Sequence, residues 1–276
     1  MNWTIRNNII SLKCPIVMGI LNVTPDSFYD GGKFVNSDSA CEAAVKMEKD
    51  GANIIDIGGE SSRPGSKPVS VKEELQRVIP VIRKIASVIN SPLAIDTQKA
   101  EVAFEAINAG ASIVNDISAM ADPEMAGVVK SSKAGIVLMH KHGEPATMQI
   151  APLDRENVLE DVIKYLKART IDGVNSGITK EQIVIDPGIG FGKTYAANEL
   201  LINHIDKLKV LGFPILIGAS RKKFIGEITG RKTNERLAGS IAAHIISFFR
   251  GAMIFRTHDV KETTDALKVA RIILQN

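Results

Sequence analysis

The sequence predicts one α/β domain spanning residues 1–276, a single (β/α)8 TIM barrel, and three observations carry that reading. Eight short β-branched or aliphatic runs alternate with longer amphipathic segments. The runs are nearly continuously apolar, as strands covered on both faces of a parallel sheet must be. Each is closed or followed by polar residues, and barrels of this kind carry their chemistry at the C-terminal ends of their strands.

The first strand is predicted at 16–20, with Asn22 just beyond it. A long connector follows, GILNVTPDSF at 19–28 and then DGG at 30–32. Its length and turn-forming residues suit a binding loop better than a plain link. Ser39, three residues before Glu42, predicts the next helix start by a capping box, and Gly51 supplies its left-handed C-terminal residue. The second strand, 54–57, runs into the glycine-rich GGESSRPG at 58–65, which carries Arg63. Two pliable loops on adjacent strands suit a site that closes over its ligand.

Ser70 and Glu73 form a second capping box, and Pro80 predicts a kink in the helix they start. The third strand, 93–95, ends in Asp96, and Gly110 closes the helix after it. The fourth, 112–114, ends in Asn115 and Asp116; the fifth, 136–139, in His140; the sixth, 183–185, in Asp186. The seventh, 215–217, leads to Ser220, Arg221 and Lys222. The eighth, 253–255, leads to Arg256 and His258, after which Asp259 and Glu262 resemble a third helix start. No linker or low-complexity tract divides the chain.

Composition narrows the function classes. Apolar residues make up 45% and charged residues 24%, a balance that fills a sizeable core. Lysine and arginine number 34 against 31 acidic residues, a net +3 with no long basic run, which argues against nucleic acid. Cys14 and Cys41 fit neither a disulfide framework nor a metal motif. The uncharged stretches near 14–25 and 237–249 are shorter than the roughly 18 residues of a spanning helix, and the N-terminus lacks a signal-peptide pattern. The expectation is a cytoplasmic protein that binds neither nucleic acid nor membrane.

Two motifs invite readings that fail. DPGIGFGK at 186–193 looks like a phosphate loop, but Pro187 stands where that motif needs its first glycine. The dinucleotide fingerprint lacks its third glycine as well. A close backbone approach to a flat ligand beside Asp186 fits better. His140 and His142 form an H-x-H pair, but the partner histidines of a metal-dependent barrel hydrolase are missing from the later strands. His204 and His244, inside helical runs, read as surface or packing residues.

Read together, GILNVTPDSF with DGG, DIGGESSRPG, IDT at 95–97, NDI at 115–117 and MHKHGEPATMQ at 139–149 resemble the dihydropteroate synthase family. DPGIGFGK, GASRKKFIG at 218–226, TNER at 233–236 and THDV at 257–260 continue the resemblance in family order over nearly the whole chain. The departures are Ser62 where many members have Thr, Thr257 for Val, His142 for Met and Lys223 for Ser. The last puts one possible p-aminobenzoate contact in doubt.

The resemblance implies displacement of pyrophosphate from 6-hydroxymethyl-7,8-dihydropterin pyrophosphate by the amine of p-aminobenzoate. It implies pterin binding by Asp96, Asn115, Asp186, Lys222 and Arg256, with Asp96, Asp186 and Lys222 closest to the chemistry. Pyrophosphate falls to Asn22, Arg63, Arg256 and His258, with Mg2+ on Asn22. The p-aminobenzoate set is Phe28, Ser62, Pro64, Phe191 and Ser220, although Phe191 also reads as a core residue. A homodimer through the last two helices is implied too. Two other readings stay open: a pterin-binding methyltetrahydrofolate methyltransferase, which needs no pyrophosphate cluster, and a non-catalytic pterin-binding paralogue.

Overall fold

The computed structural model describes residues 1–24, 37–61, 65–144, 146–148 and 150–275. Eight strands form one parallel sheet: β3 (Ile16–Asn22), β4 (Ile54–Gly58), β5 (Leu93–Asp96), β6 (Ile113–Asp116), β7 (Gly135–Met139), β8 (Ile183–Asp186), β9 (Leu216–Ile217) and β10 (Ile254–Thr257). Their order is β8-β7-β6-β5-β4-β3-β10-β9, and a parallel bridge between Ile185 and Ile215 brings the two ends together. Helices lie between the strands, so the fold is the expected (β/α)8 barrel.

Side chains alternate along a strand, and the barrel sorts them into two cores. Residues such as Leu21, Ile55, Ile57, Ile95, Leu138 and Ile217 pack outward against the helices. Their neighbours Met18, Ile54, Ala94, Ile113, Val137, Val184, Leu216 and Ile254 form a separate buried cluster in the interior. Two residues further along each strand, the same inward face reaches the C-terminal mouth. There the sequence reads Ile20, Asp56, Asp96, Asn115, Met139, Asp186, Gly218 and Arg256. The period of two thus turns an apolar floor into a polar rim without any irregular backbone.

The sequence reading missed the closure of the opposite end. A hairpin of β1 (Asn2–Ile5) and β2 (Asn8–Ser11) precedes the barrel, and its Trp3 and Ile5 join the interior cluster fully buried. The Trp3 indole N–H donates to the Gln182 carbonyl at 2.9 Å. Gly135 makes room for it, since a Cβ there would stand 2.6 Å from Ile5 and 2.9 Å from the indole nitrogen.

Several local expectations are corrected. Helix α1 (Ser37–Lys49) begins two residues before the expected Ser39, so Ser39 is not its cap. Helix α2 (Val71–Ala86) starts as expected, with Ser70 accepting from the Glu73 N–H at 3.2 Å, but the Glu73 carboxylate turns to Arg77. Pro80 lies inside this helix, as expected. Helix α9 (Val260–Gln275) follows Asp259, whose carboxylate takes the Arg221 guanidinium at 2.5 and 3.0 Å instead of capping. The fourth strand starts one residue after the expected 112, and the seventh is only two residues long. Gly51 and Gly110 have the left-handed φ of +99° and +128° that their positions require.

Candidate active site

The rim residues form one connected group over the barrel floor. Arg256, near the end of β10, donates through Nε to Asp56 Oδ2 at 2.5 Å and through Nη2 to Asp96 Oδ2 at 2.6 Å. Asn115 on β6 donates to the same Asp56 oxygen at 3.0 Å. Asp56 is fully buried, and its Oδ1 has no partner among the described residues. Burial pushes the Asp96 carboxyl well above its ordinary range, and the Arg256 guanidinium pulls it back. Burial also opposes the charge on Arg256, but Asp56 and Asp96 outweigh it and hold the guanidinium protonated. Asp56 is not among the residues predicted from the strand ends, because it lies inside β4. A lone carboxylate inside an otherwise apolar strand was the available signal.

Across the mouth, Asp186 ends β8 with Oδ1 accepting the Gly188 N–H at 2.7 Å. Burial pushes its pKa up to about 6, against that hydrogen bond and the nearby Lys222. The backbone after it passes close to its neighbours: a Cβ on Gly188 would lie 1.9 Å from the His140 carbonyl, and one on Gly192 2.0 Å from the His142 carbonyl. Only glycine fits there, and φ is +67° and +64° at the two positions. Lys193, the residue that made this segment look like a phosphate loop, is turned inward. Its Nζ donates to the carbonyls of Gly188, Phe191 and His140 at 2.8, 3.1 and 3.4 Å. Burial lowers its pKa to about 7, with Asp186 acting in the other direction. Lys193 is a clasp for the loop.

That loop presents Phe191 to the mouth. The ring packs with Ile117, Met139 and Met148, and the Lys222 ammonium sits 4.1 Å above its centroid. Phe191 is thus buried in a small apolar cluster under the Lys222 ammonium. Ser220 and His258 meet at the rim, with the Ser220 hydroxyl 3.0 Å from His258 Nδ1.

Asn22 ends β3 next to Gly58, where an added Cβ would lie 3.6 Å from Asn22 Oδ1 and 3.7 Å from Asp96 Oδ2. The missing side chain leaves space between those two oxygens. Among the described residues no three histidine, cysteine or carboxylate groups cluster as a metal cage. The H-x-H pair does not lead to a metal centre: His140 is buried, bonded to Asp161 at 3.1 Å and packed edge-on against Tyr165. His244 packs edge-on against Phe255, as a packing residue should.

The structure thus brings together Asp96, Asn115, Asp186, Lys222, Arg256, Phe191, Ser220, His258 and Asn22 at one mouth. Phe28, Ser62, Arg63 and Pro64 lie outside the described residues, in the segments 25–36 and 62–64. The stem of the second is tied down from below: Glu60 and the buried Glu74 both pair with Lys99, and Arg77 donates to the Gly59 carbonyl at 2.7 Å.

Residues 18–258 match the family described as pterin binding enzyme. The chain is 41% identical to the dihydropteroate synthase of Haemophilus influenzae over 264 residues, 96% of either chain. It superposes on the Yersinia pestis dihydropteroate synthase in a sulfonamide drug complex with a TM-score of 0.94 and 39% identity over 100% of both chains. The Xanthomonas albilineans dihydropteroate synthase with 4-aminobenzoic acid gives a TM-score of 0.93 and 42% identity, again over 100% of both.

Proposed function

Because the chain belongs to the dihydropteroate synthases, a family of pterin-binding enzymes, we propose a division of that reaction among its own strand-end residues. The enzyme is a transferase that condenses 6-hydroxymethyl-7,8-dihydropterin pyrophosphate with p-aminobenzoate, giving 7,8-dihydropteroate and pyrophosphate. Neither a methyltransferase nor a non-catalytic paralogue is favoured by any feature of the site. The observation that carries the division is the set of inward carboxylate and amide groups on β4, β5, β6 and β8, facing Lys222 after β9 and Arg256 on β10.

A pterin edge offers adjacent N–H and NH2 donors, which a carboxylate takes as a pair of charge-assisted bonds. Asp186 supplies that carboxylate, with Asp96 and Asn115 meeting the remaining ring polar atoms. Lys222 donates to a ring acceptor, and the Arg256 stem covers one ring face. The aryl amine nitrogen attacks the exocyclic methylene carbon. The carbon–oxygen bond to pyrophosphate breaks, pyrophosphate keeps the electron pair, and the amine proton passes to solvent or to the departing phosphate. The arylamine needs no strong base. Charge on the leaving group is what the site must meet: Arg256 and Arg63 supply positive charge for it, and His258 a ring N–H donor. Asn22 would hold Mg2+ together with the phosphates, and that ion would supply further charge neutralisation of the leaving group. Phe191 forms one wall for the aryl ring, with Phe28, Ser62 and Pro64 assigned to the other side.

Binding is expected to be ordered. The walls Phe28 and Pro64 share their connectors with Arg63 and follow Asn22, so anion binding organises the aryl pocket before the small acid arrives. In calorimetry p-aminobenzoate should bind weakly to the free enzyme and far more tightly with Mg2+ and pyrophosphate present. Chelator should abolish the gain. Equal affinity in both conditions would mean the pocket is preformed.

The helices α8 (Leu237–Phe249) and α9 pack together, and Ile246 and Phe249 on the first and Val269, Ile272 and Ile273 on the second are each close to half exposed or more. An apolar face of this kind on a folded chain fits burial against a second copy. The homodimer is assigned to it; a monomer in sedimentation equilibrium would remove that assignment. No described helix is long and apolar enough to cross a membrane, and a cytoplasmic location fits the two reduced, unpaired thiols.

A further inference from the structure

A line of hydroxyls behind the anion site fixes the direction in which His258 can donate. Ser220 Oγ accepts the backbone N–H of His258 at 3.1 Å and stands 3.0 Å from that residue's Nδ1. Thr257 Oγ1 lies 3.4 Å from Ser220 Oγ and 3.1 Å from Thr263 Oγ1, and it accepts the Asp259 N–H at 3.1 Å. Thr257, Thr263 and Ser220 are all buried, Thr257 completely.

Each hydroxyl has one proton to give and two lone pairs to receive. Two proton orders are conceivable. If Nδ1 carried a proton, it would donate to Ser220, which would donate to Thr257, which would donate to Thr263. The Thr263 proton would then be buried with no acceptor, because Thr257 is its sole hydroxyl partner among the described residues. A buried unpaired donor costs about 1–3 kcal/mol. In the opposite order, Thr263 donates to Thr257, Thr257 to Ser220, and Ser220 to a bare Nδ1. Every proton in the line then has an acceptor.

We infer that Ser220, backed by Thr257 and Thr263, is a positioning residue that holds His258 as the Nε2–H tautomer, so that its ring presents a donor to pyrophosphate. The inference rests on the assignment of His258 to the pyrophosphate site. It also revises the expected role of Ser220: both its lone pairs and its proton are committed to Thr257 and His258, so its hydroxyl is not a free donor for the p-aminobenzoate carboxylate. Thr257, one of the departures from the family pattern, becomes intelligible as a member of the line.

The test reads the tautomer directly. In ligand-free protein labelled with 15N-histidine, His258→Gln assigns the His258 signals among the five histidines. Wild type should show a protonated Nε2 and a bare Nδ1. Ser220→Ala should give a mixture of tautomers, Thr257→Val a smaller shift the same way, and Ser220→Thr should restore the wild-type pattern. The affinity for Mg-pyrophosphate should fall roughly three- to tenfold in Ser220→Ala and return in Ser220→Thr. A smaller loss in Thr257→Val would be transmitted through the line, because that buried side chain cannot touch the ligand. A wild-type proton on Nδ1, or an unchanged spectrum in Ser220→Ala, overturns the inference. Failure of wild type to bind Mg-pyrophosphate would instead overturn the anion-site assignment, while the spectra still decide what Ser220 does to the ring.

Discussion

Asp186→Asn should weaken pterin binding by about 30- to 1,000-fold, a cost of roughly 2–4 kcal/mol, while leaving the barrel folded. The reason lies in the Gly188 N–H, which donates to Asp186 Oδ1 at 2.7 Å. An asparagine there must keep its oxygen on that N–H, so its NH2 group turns to the ligand. The pterin amine then faces a donor, and one charge-assisted pair becomes a clash of protons. The pH dependence follows from the same carboxylate. With its pKa raised by burial to about 6, Asp186 is ionised above that pH and able to take the pterin donors. Wild-type affinity should therefore fall as pH drops through about 6, approaching tenfold per unit, and the Asn variant should lose that dependence. Pterin affinity within threefold of wild type would show that Asp186 does not hold that edge.

Arg256→Met should cost more in stability than in any single ligand contact. The guanidinium joins the fully buried Asp56 to the nearly buried Asp96, and removing it leaves two carboxylates facing each other inside the mouth. Breaking a buried pair on one side typically costs about 3–5 kcal/mol, since the remaining charge stays desolvated. Urea unfolding should register a loss of that size. Adding Asp56→Asn to the same variant should recover part of it, because one of the orphaned charges is then gone. A loss below about 1 kcal/mol, or no recovery in the double variant, would mean that the three groups are not energetically coupled.

The eight strands were legible because burial on both faces leaves an unmistakable mark, a near-continuous apolar run. The strand-end residues were legible for the same reason: a polar side chain that closes such a run stands out. Asp96, Asn115, Asp186 and Arg256 all emerged that way and do share one mouth. Asp56 did not, because it sits inside its strand and is recognised only once the period of two is counted from Ile54. The β1–β2 hairpin was missed because Trp3 and Ile5 gain their partners at Gly135 and Gln182, far along the chain. A four-residue alternation in β1 and a β2 with no buried side chain are too short and too exposed to stand out as periodic segments. Lys193 misled by its setting: a glycine-rich stretch before a lysine suggests phosphate, but three backbone carbonyls claim the ammonium. Ser39 misled more simply, since a cap sequence works only where the chain turns, and α1 had already begun.

The most direct test of the account is a single assay of pyrophosphate release. Purified enzyme should liberate one pyrophosphate for each dihydropteroate formed, only when both 6-hydroxymethyl-7,8-dihydropterin pyrophosphate and p-aminobenzoate are present. Excess chelator should stop it. Pyrophosphate released without p-aminobenzoate, full turnover in chelator, or no dihydropteroate under any condition would contradict the chemistry assigned to this mouth.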